Sequence, residues 1–367
     1  MRTDHTVTAP QAAVLLEAND VSVTIPTSGG IVTPVDHVSL TLRSGEVLGI
    51  VGETGSGKTV TCRSLLGLMP SAQARHTGSV TYPGVMDENV LDAGRGVMRK
   101  HWGTYISMIP QNPMTSLNPV HRIGDQIAEA IAAHSSMPKS QRFERIVELM
   151  TRVGIPNPQK RMRDYPHQFS GGMLQRTLIA IALAGDPRVL IADEPTTALD
   201  VIIQDQILSL LVDLQRDLGT SLVLVSHDLS VIAQVCDRVA VMYGGQVVEL
   251  AETATLLHTP RHPYTNALLK SLPGAVPRDQ PLTAISGSPP RLIDLPDTCR
   301  FLPRCTFADE GCSTWTTELL VAGAAGSPAG VRCRRHQEID LQPPSRSGQE
   351  TPPRSSLVEP MDFWAAR

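Results

Sequence analysis

Eight consecutive residues, Gly52-Glu53-Thr54-Gly55-Ser56-Gly57-Lys58-Thr59, combine glycines, a lysine and a threonine in the spacing of a phosphate-binding loop. Glycines let the backbone curl until successive N–H groups converge on phosphate oxygens, and a following helix N-terminus adds favourable partial charge. Lys58 has the reach for β- and γ-phosphates, and the Thr59 hydroxyl suits Mg2+. Asp193 and Glu194 bring a second piece of chemistry: one carboxylate to complete a magnesium shell, its neighbour to activate an attacking water. A lone Asp-Glu pair after a strand is more often a solvated strand end, so its weight comes from the company of the loop. Ser170-Gly171-Gly172-Met173 offers a hydroxyl and free backbone N–H groups at a helix start, which again suits an anion. An N-capped helix after a turn would explain that segment by itself. Beside a complete phosphate loop, it points to a γ-phosphate shared between two subunits.

These residues need elements to hold them. An apolar strand over 47–51 runs straight into the loop, and a helix is expected from 58 to about 68, stopped by Pro70. Upstream, alternation over 20–25 and 35–42 around Thr27-Ser28-Gly29-Gly30 predicts antiparallel strands. Residues 112–185 carry helical patterns, with 126–133 and 142–153 as candidates. A buried strand over 189–192 ends in Asp193-Glu194-Pro195, and another over 221–225 ends in Ser226-His227-Asp228. Between them Ile203, Ile207, Leu210, Leu211 and Leu214 trace one face of a helix that Gly219 can close. Strands alternating with helices predict a largely parallel α/β sheet with its chemistry at the strands' C-terminal ends.

At 367 residues and 39.6 kDa the chain exceeds the roughly 250 to 300 residues of a single core, so one domain plus an addition is expected. Apolar residues at 41% and charged residues at 19% exclude wholesale disorder. A net charge of −4 leaves no basic excess that would make nucleic acid the main ligand. No apolar run approaches the roughly 18 residues of a spanning helix. The first ten residues lack an apolar stretch, which predicts no secretory signal and a reducing compartment. Cys62 and Cys236 then read as small core residues. After about 250 prolines recur, and a small domain is expected over 251–340. A disordered tail over 341–367 and a flexible start over 1–13 complete the division.

The order of residues 52–59, Gln111, Phe169-Ser170-Gly171-Gly172, Leu190-Ile191-Ala192-Asp193-Glu194-Pro195, Ala198-Leu199-Asp200 and Ser226-His227-Asp228 resembles the nucleotide-binding subunit of an ABC transporter. The resemblance covers about 14–250. It implies a P-loop ABC ATPase: a RecA-like core with an antiparallel β subdomain and a helical subdomain at about 112–185. It also implies a head-to-tail dimer with two ATP molecules sandwiched between phosphate loop and signature. On it, Gln111 becomes the lever between the metal site and the membrane partner, Glu194 polarises water, His227 contacts the γ-phosphate and Asp200 lies at the dimer interface. Thr59, Gln111 and Asp193 are the implied magnesium residues. Two departures stand out. Ile25 occupies the place where many members stack adenine on an aromatic, and no aromatic lies between Met1 and Thr81. Met173 stands where the commonest signature has Gln.

The segments Asn112-Pro113-Met114-Thr115-Ser116-Leu117-Asn118-Pro119, Tyr165-Pro166-His167 and His262-Pro263-Tyr264-Thr265 resemble the dipeptide/oligopeptide importer branch. So do Gly287-Ser288-Pro289-Pro290 and the late cysteines, which extends the resemblance to about 336. Nickel-uptake ATPases are close relatives. Cys299, Cys305, Cys312 and Cys333 are spaced Cys-x5-Cys-x6-Cys-x20-Cys, without the C-x2-C pairs usual in zinc sites. Four thiolates could hold a 4Fe-4S cluster, as some members of the branch do; zinc or four reduced thiols are the other readings.

The resemblance implies an ATP-hydrolysing subunit powering import of di- and oligopeptides. Its partners would be a second ATPase, commonly a paralogue, two transmembrane permease subunits and an external peptide-binding protein, with no nucleic acid. It would sit at the cytoplasmic face of the membrane, held by the membrane subunits. A nickel or other small-solute importer is one alternative, and a soluble non-transport ABC ATPase another. DNA-repair members insert a long coiled coil where only 58 residues separate Gln111 from Ser170, and ribosome-acting members carry tandem cassettes where this chain has one phosphate loop.

Overall fold

Strands buried on both faces read as unbroken apolar runs, and three such runs form the middle of the molecule. The computed structural model describes residues 12–135, 137–197, 199–272, 284–316, 318–321 and 329–341. In chain order, β1 (Val14–Thr27) and β2 (Gly30–Arg43) form a long hairpin, and β3 (Val47–Val51) leads through the glycine loop into α1 (Lys58–Leu65). Then come β4 (Arg75–Thr81) and β5 (Ile106–Ile109), and a helical layer of α2 (Ile123–His134), α3 (Lys139–Arg152) and α4 (Gly171–Ala182). The chain returns through β6 (Val189–Asp193), α5 (Val201–Leu218), β7 (Ser221–Ser226), α6 (Leu229–Val235), β8 (Arg238–Tyr243) and β9 (Gln246–Glu252). Further on lie α7 (Pro263–Lys270) and two short strands, β10 (Leu320–Val321) and β11 (Gly330–Val331).

The expected antiparallel sheet is present, in the order β2-β1-β4. The larger sheet runs β10-β11-β9-β8-β3-β7-β6-β5. Neighbours from β8 to β5 are parallel, whereas β8–β9, β9–β11 and β11–β10 are antiparallel. Period-two alternation sorts the central strands between two cores. Val47 and Val51, Leu190 and Ala192, and Leu222 and Leu224 face the helical layer. Leu48 and Ile50, Val189 and Ile191, and Val223 and Val225 face the three-stranded sheet and α1. Gly49 in β3 is required by the close approach of α6, since a Cβ there would lie 2.6 Å from Ile232 and 2.9 Å from the Cys236 sulfur.

Helix α1 ends at Leu65 rather than near 68, because Gly67 takes φ +70° two residues later, where no helix continues. Gly219, at φ +63°, closes α5 as the pattern predicts. Cys62 and Cys236 are buried. The expected small domain over 251–340 shares sheet and core with what precedes it. Strand β11 pairs with β9, Val331 is fully buried, and Phe301 packs in the same core as β3 and β7. Three arginines pin the segment down: Arg300 to Asp36 at 2.6 Å, Arg304 to Glu53 at 2.6 Å, and Arg332 to the Val247 carbonyl at 2.9 Å. Of the expected tail over 341–367, Leu341 is described and buried against the expectation of disorder; the rest of it, most of the expected flexible start over 1–13, and Ala198 lie outside the described residues.

Candidate nucleotide site

The loop between β3 and α1 has the geometry that phosphate binding needs. Gly55 and Gly57 take φ +81° and +102°, and a Cβ on Gly57 would collide with the Pro34 carbonyl at 2.0 Å. The Ser56 hydroxyl is buried without a hydrogen-bond partner, an orphan that a phosphate oxygen would satisfy. Lys58 opens α1, is 5% exposed, and donates to the carbonyls of Gly52 at 2.8 Å and Glu53 at 3.1 Å. Burial lowers its pKa, opposed by Glu194 and Asp193.

Strand β6 carries the two carboxylates to the same edge. Asp193 is 2% exposed, and its Oδ1 accepts from the Thr59 hydroxyl at 3.2 Å. Burial raises its pKa, with the Thr59 hydrogen bond pulling the other way. Glu194 follows in the left-handed region at φ 46°, which costs a non-glycine residue about 1 kcal/mol. Its side chain is held from several sides. Gln111 Nε2 donates to its Oε2 at 2.8 Å, Thr197 Oγ1 donates to the same oxygen at 2.9 Å, and His227 Nδ1 lies 3.5 Å away. Lys58 Nζ is 3.8 Å from its other oxygen.

Gln111, Glu194, His227, Lys58, Thr59 and Asp193 are thus gathered at the C-terminal ends of β5, β3, β6 and β7, as the topology predicts. Within that set Gln111 touches Glu194 directly. Thr197 was not singled out in the sequence, although its place three residues after Glu194 is a local signal. Tyr264 and Arg304 lie in segments that carry the branch resemblance, but their place at the loop is not legible: the Tyr264 hydroxyl accepts from the Glu53 N–H at 3.0 Å and Arg304 pairs with the Glu53 carboxylate, across 211 and 251 residues.

Ser170 stands elsewhere. It caps α4 by accepting from the Met173 N–H at 3.4 Å, and Gly172 lies against Ile203, where a Cβ would approach to 2.8 Å. Asp200 caps α5 by accepting from the Ile203 N–H at 2.9 Å. Among the described residues, the hydrogen bonds and ion pairs around Lys58 and Glu194 do not include residues 170–173.

The four late cysteines line one cavity with Phe301 and Trp315. Burial pushes the thiols of Cys299 and Cys305 up, and that of Cys333 up to about 12. Among the described residues no three His, Cys, Asp or Glu side chains are grouped so that they could hold a metal ion. The donors are of the kind a 4Fe-4S cluster takes, but their grouping among the described residues gives that expectation no support.

Two family models match the chain, "ABC transporter" over residues 35–197 and "Oligopeptide/dipeptide transporter, C-terminal region" over 248–312. The oligopeptide transport ATP-binding protein OppD of Salmonella typhimurium is 46% identical over 306 residues, covering 83% of this chain and 90% of the relative. The OppD protein of Bacillus subtilis is 45% identical over 296 residues, 80% of this chain and 82% of the relative. Among solved structures, a post-hydrolysis dimer of the ATP-binding cassette MJ0796 with ADP and Pi superposes with a TM-score of 0.58 at 25% identity, over 65% of this chain and 99% of the other. Fold, site and comparisons agree that this chain belongs to the ABC transporter ATP-binding family, in its oligopeptide/dipeptide transporter branch.

Proposed function

We propose that the chain binds and hydrolyses ATP to power the import of oligopeptides through a membrane transporter. The single observation that carries the hydrolytic reading is Glu194, aimed by Gln111 and Thr197 and flanked by His227 and Lys58 at the strand edge beside the phosphate loop. A carboxylate so oriented can accept a hydrogen bond from an attacking water, and the His227 imidazole, 57% exposed, is free to meet a γ-phosphate from above. Lys58 and Asp193 are both buried against their charge, which their mutual attraction and that of Glu194 for Lys58 offset only in part. A triphosphate would draw Lys58 Nζ off the loop carbonyls. Thr59 and Asp193 would hold Mg2+, which would supply charge neutralisation to the phosphates when bound.

The signature residues 170–173 cap and open α4 and, among the described residues, take no part in the hydrogen bonds and ion pairs around Lys58 and Glu194, which supports their serving a nucleotide held by a second ATPase copy, identical or paralogous. The remaining partners would be two permease subunits and an external peptide-binding protein. The chain would then be peripheral, at the cytoplasmic face; no described helix is long and apolar enough to cross a membrane. Peptide, rather than nickel or another small solute, is supported by the C-terminal region match and by the names of the relatives. As domain limits we propose 14–250 for the nucleotide-binding unit, with its helical part at about 112–185, and 251–340 for a C-terminal appendage. A 4Fe-4S cluster on Cys299, Cys305, Cys312 and Cys333 is a separate proposal supported by their shared cavity alone. Protein reconstituted anaerobically with iron and sulfide that retains no stoichiometric iron would dismiss it.

The test of the main reading is reconstitution with the co-expressed permease subunits in liposomes. ATPase turnover stimulated by binding protein loaded with a peptide mixture, together with peptide uptake, is the expected result. Stimulation by nickel and not by peptides would select the alternative, and turnover indifferent to any permease would select a non-transport ATPase.

A further inference from the structure

Glu53 is the second residue of the phosphate loop, and each of its polar groups is held. Its N–H donates to the Tyr264 hydroxyl at 3.0 Å, its carbonyl accepts from Lys58 Nζ at 3.1 Å, and its carboxylate receives both arms of the Arg304 guanidinium, at 2.6 and 3.1 Å. Arg304 is 4% exposed and is itself fixed. Its Nε donates to the Ser286 carbonyl at 2.8 Å, a terminal nitrogen reaches the Tyr243 hydroxyl at 3.3 Å, and its guanidinium carbon lies 5.8 Å from the Tyr243 ring centre. A planar fork gripping both carboxylate oxygens fixes direction as well as charge. Phe301 ties the two outer contacts together, 5.3 Å from the Tyr243 ring and 5.4 Å from the Tyr264 ring.

We propose that Arg304 is a positioning residue for the nucleotide site: through Glu53 it preorganises the phosphate loop and masks a carboxylate that would otherwise repel the triphosphate. The inference rests on the ATPase reading above. It makes the ATP site a product of both ends of the chain, because the loop's first turn is clamped by a side chain 251 residues away. Arg304 touches no reacting atom. Its loss therefore weakens nucleotide binding more than turnover, since Glu194, Gln111 and His227 stand on other elements.

The experiment uses the full chain with its permease partners, titrated with MgATP. Arg304→Met should raise KM for ATP about tenfold with kcat changed less than about threefold, and Arg304→Lys should recover part of the loss by restoring charge without the fork. In a Glu53→Gln background Arg304→Met should add little, because its route of action is already gone. Wild-type KM in a folded Arg304→Met protein, or additive effects of the two substitutions, would overturn the proposal. A fall in kcat equal to that in kcat/KM would do the same. If Arg304→Met does not fold, Arg304→Lys and Glu53→Gln carry the test, and unchanged KM in both overturns it. A wild-type chain that neither binds nor hydrolyses MgATP would instead sink the ATPase reading.

Discussion

At the residue scale the site is a matter of buried charge held in wait. Glu194 sits in a left-handed backbone conformation with one carboxylate oxygen taking hydrogen bonds from Gln111 and Thr197 and the other 3.8 Å from Lys58, so its direction is set before substrate arrives. Glu194→Gln keeps size and hydrogen bonding but cannot take charge from water. Turnover should fall on the order of 100-fold or more while MgATP affinity is retained, as read by steady-state hydrolysis and equilibrium binding. Wild-type turnover would refute the assigned role. Lys58→Ala removes a cation beside two carboxylates, so affinity itself should fall at least about tenfold in the same binding assay. Most of this constellation was legible because each member ends a strand or opens a helix in a short motif. Thr197 was legible in principle, three residues from its partner. Tyr264 and Arg304 were not, since a contact spanning more than 200 residues leaves no trace in local spacing.

At the element scale, the segment after β9 behaves as part of the ATPase body. His262 starts α7: its Nδ1 accepts from the Tyr264 N–H at 3.0 Å, so the ring must be unprotonated there, and burial lowers its pKa to about 3. The unfolded chain binds a proton at this residue near its ordinary 6.5 and the folded chain does not until about 3. Stability is therefore lost as pH falls through that interval, by up to about 1.4 kcal/mol per pH unit from this group. Urea midpoints at several pH values should show the slope, and His262→Asn, which keeps an acceptor for the cap, should flatten it. An unchanged slope would mean that other groups govern acid sensitivity. Phe301 packs on Tyr243, Tyr264 and His262 and is 3% exposed. Phe301→Ala should cost about 3 to 5 kcal/mol by chemical denaturation. A cost below about 1 kcal/mol would mean that the segment peels away independently. The strands and helices themselves were readable from alternation and from 3.6-residue periodicity. The attachment of β11 to β9 was not, because a two-residue strand has no period to read.

At the scale of the whole molecule, the chain displays one phosphate loop and one signature, and among the described residues the hydrogen bonds and ion pairs gathered at the first do not include the second. If Ser170 serves a nucleotide on another subunit, Ser170→Arg should leave MgATP binding by the isolated chain within about twofold of wild type. Turnover of the assembled transporter should nevertheless fall on the order of 100-fold. Loss of binding in the isolated chain would place the signature at its own loop instead. By itself the sequence determined the chemistry and the central sheet. Glycine loop, paired carboxylates and alternating apolar runs are local patterns, and local backbone sterics and burial suffice to interpret them. Only the tertiary structure decided that Glu194 and Gln111 join hands, that the late cysteines share a cavity, and that the C-terminal segment clamps the phosphate loop through Arg304. Those outcomes depend on which distant side chains meet once the sheet closes. Burial, which encloses both the arginine fork and the cysteine cavity, belongs to the folded whole.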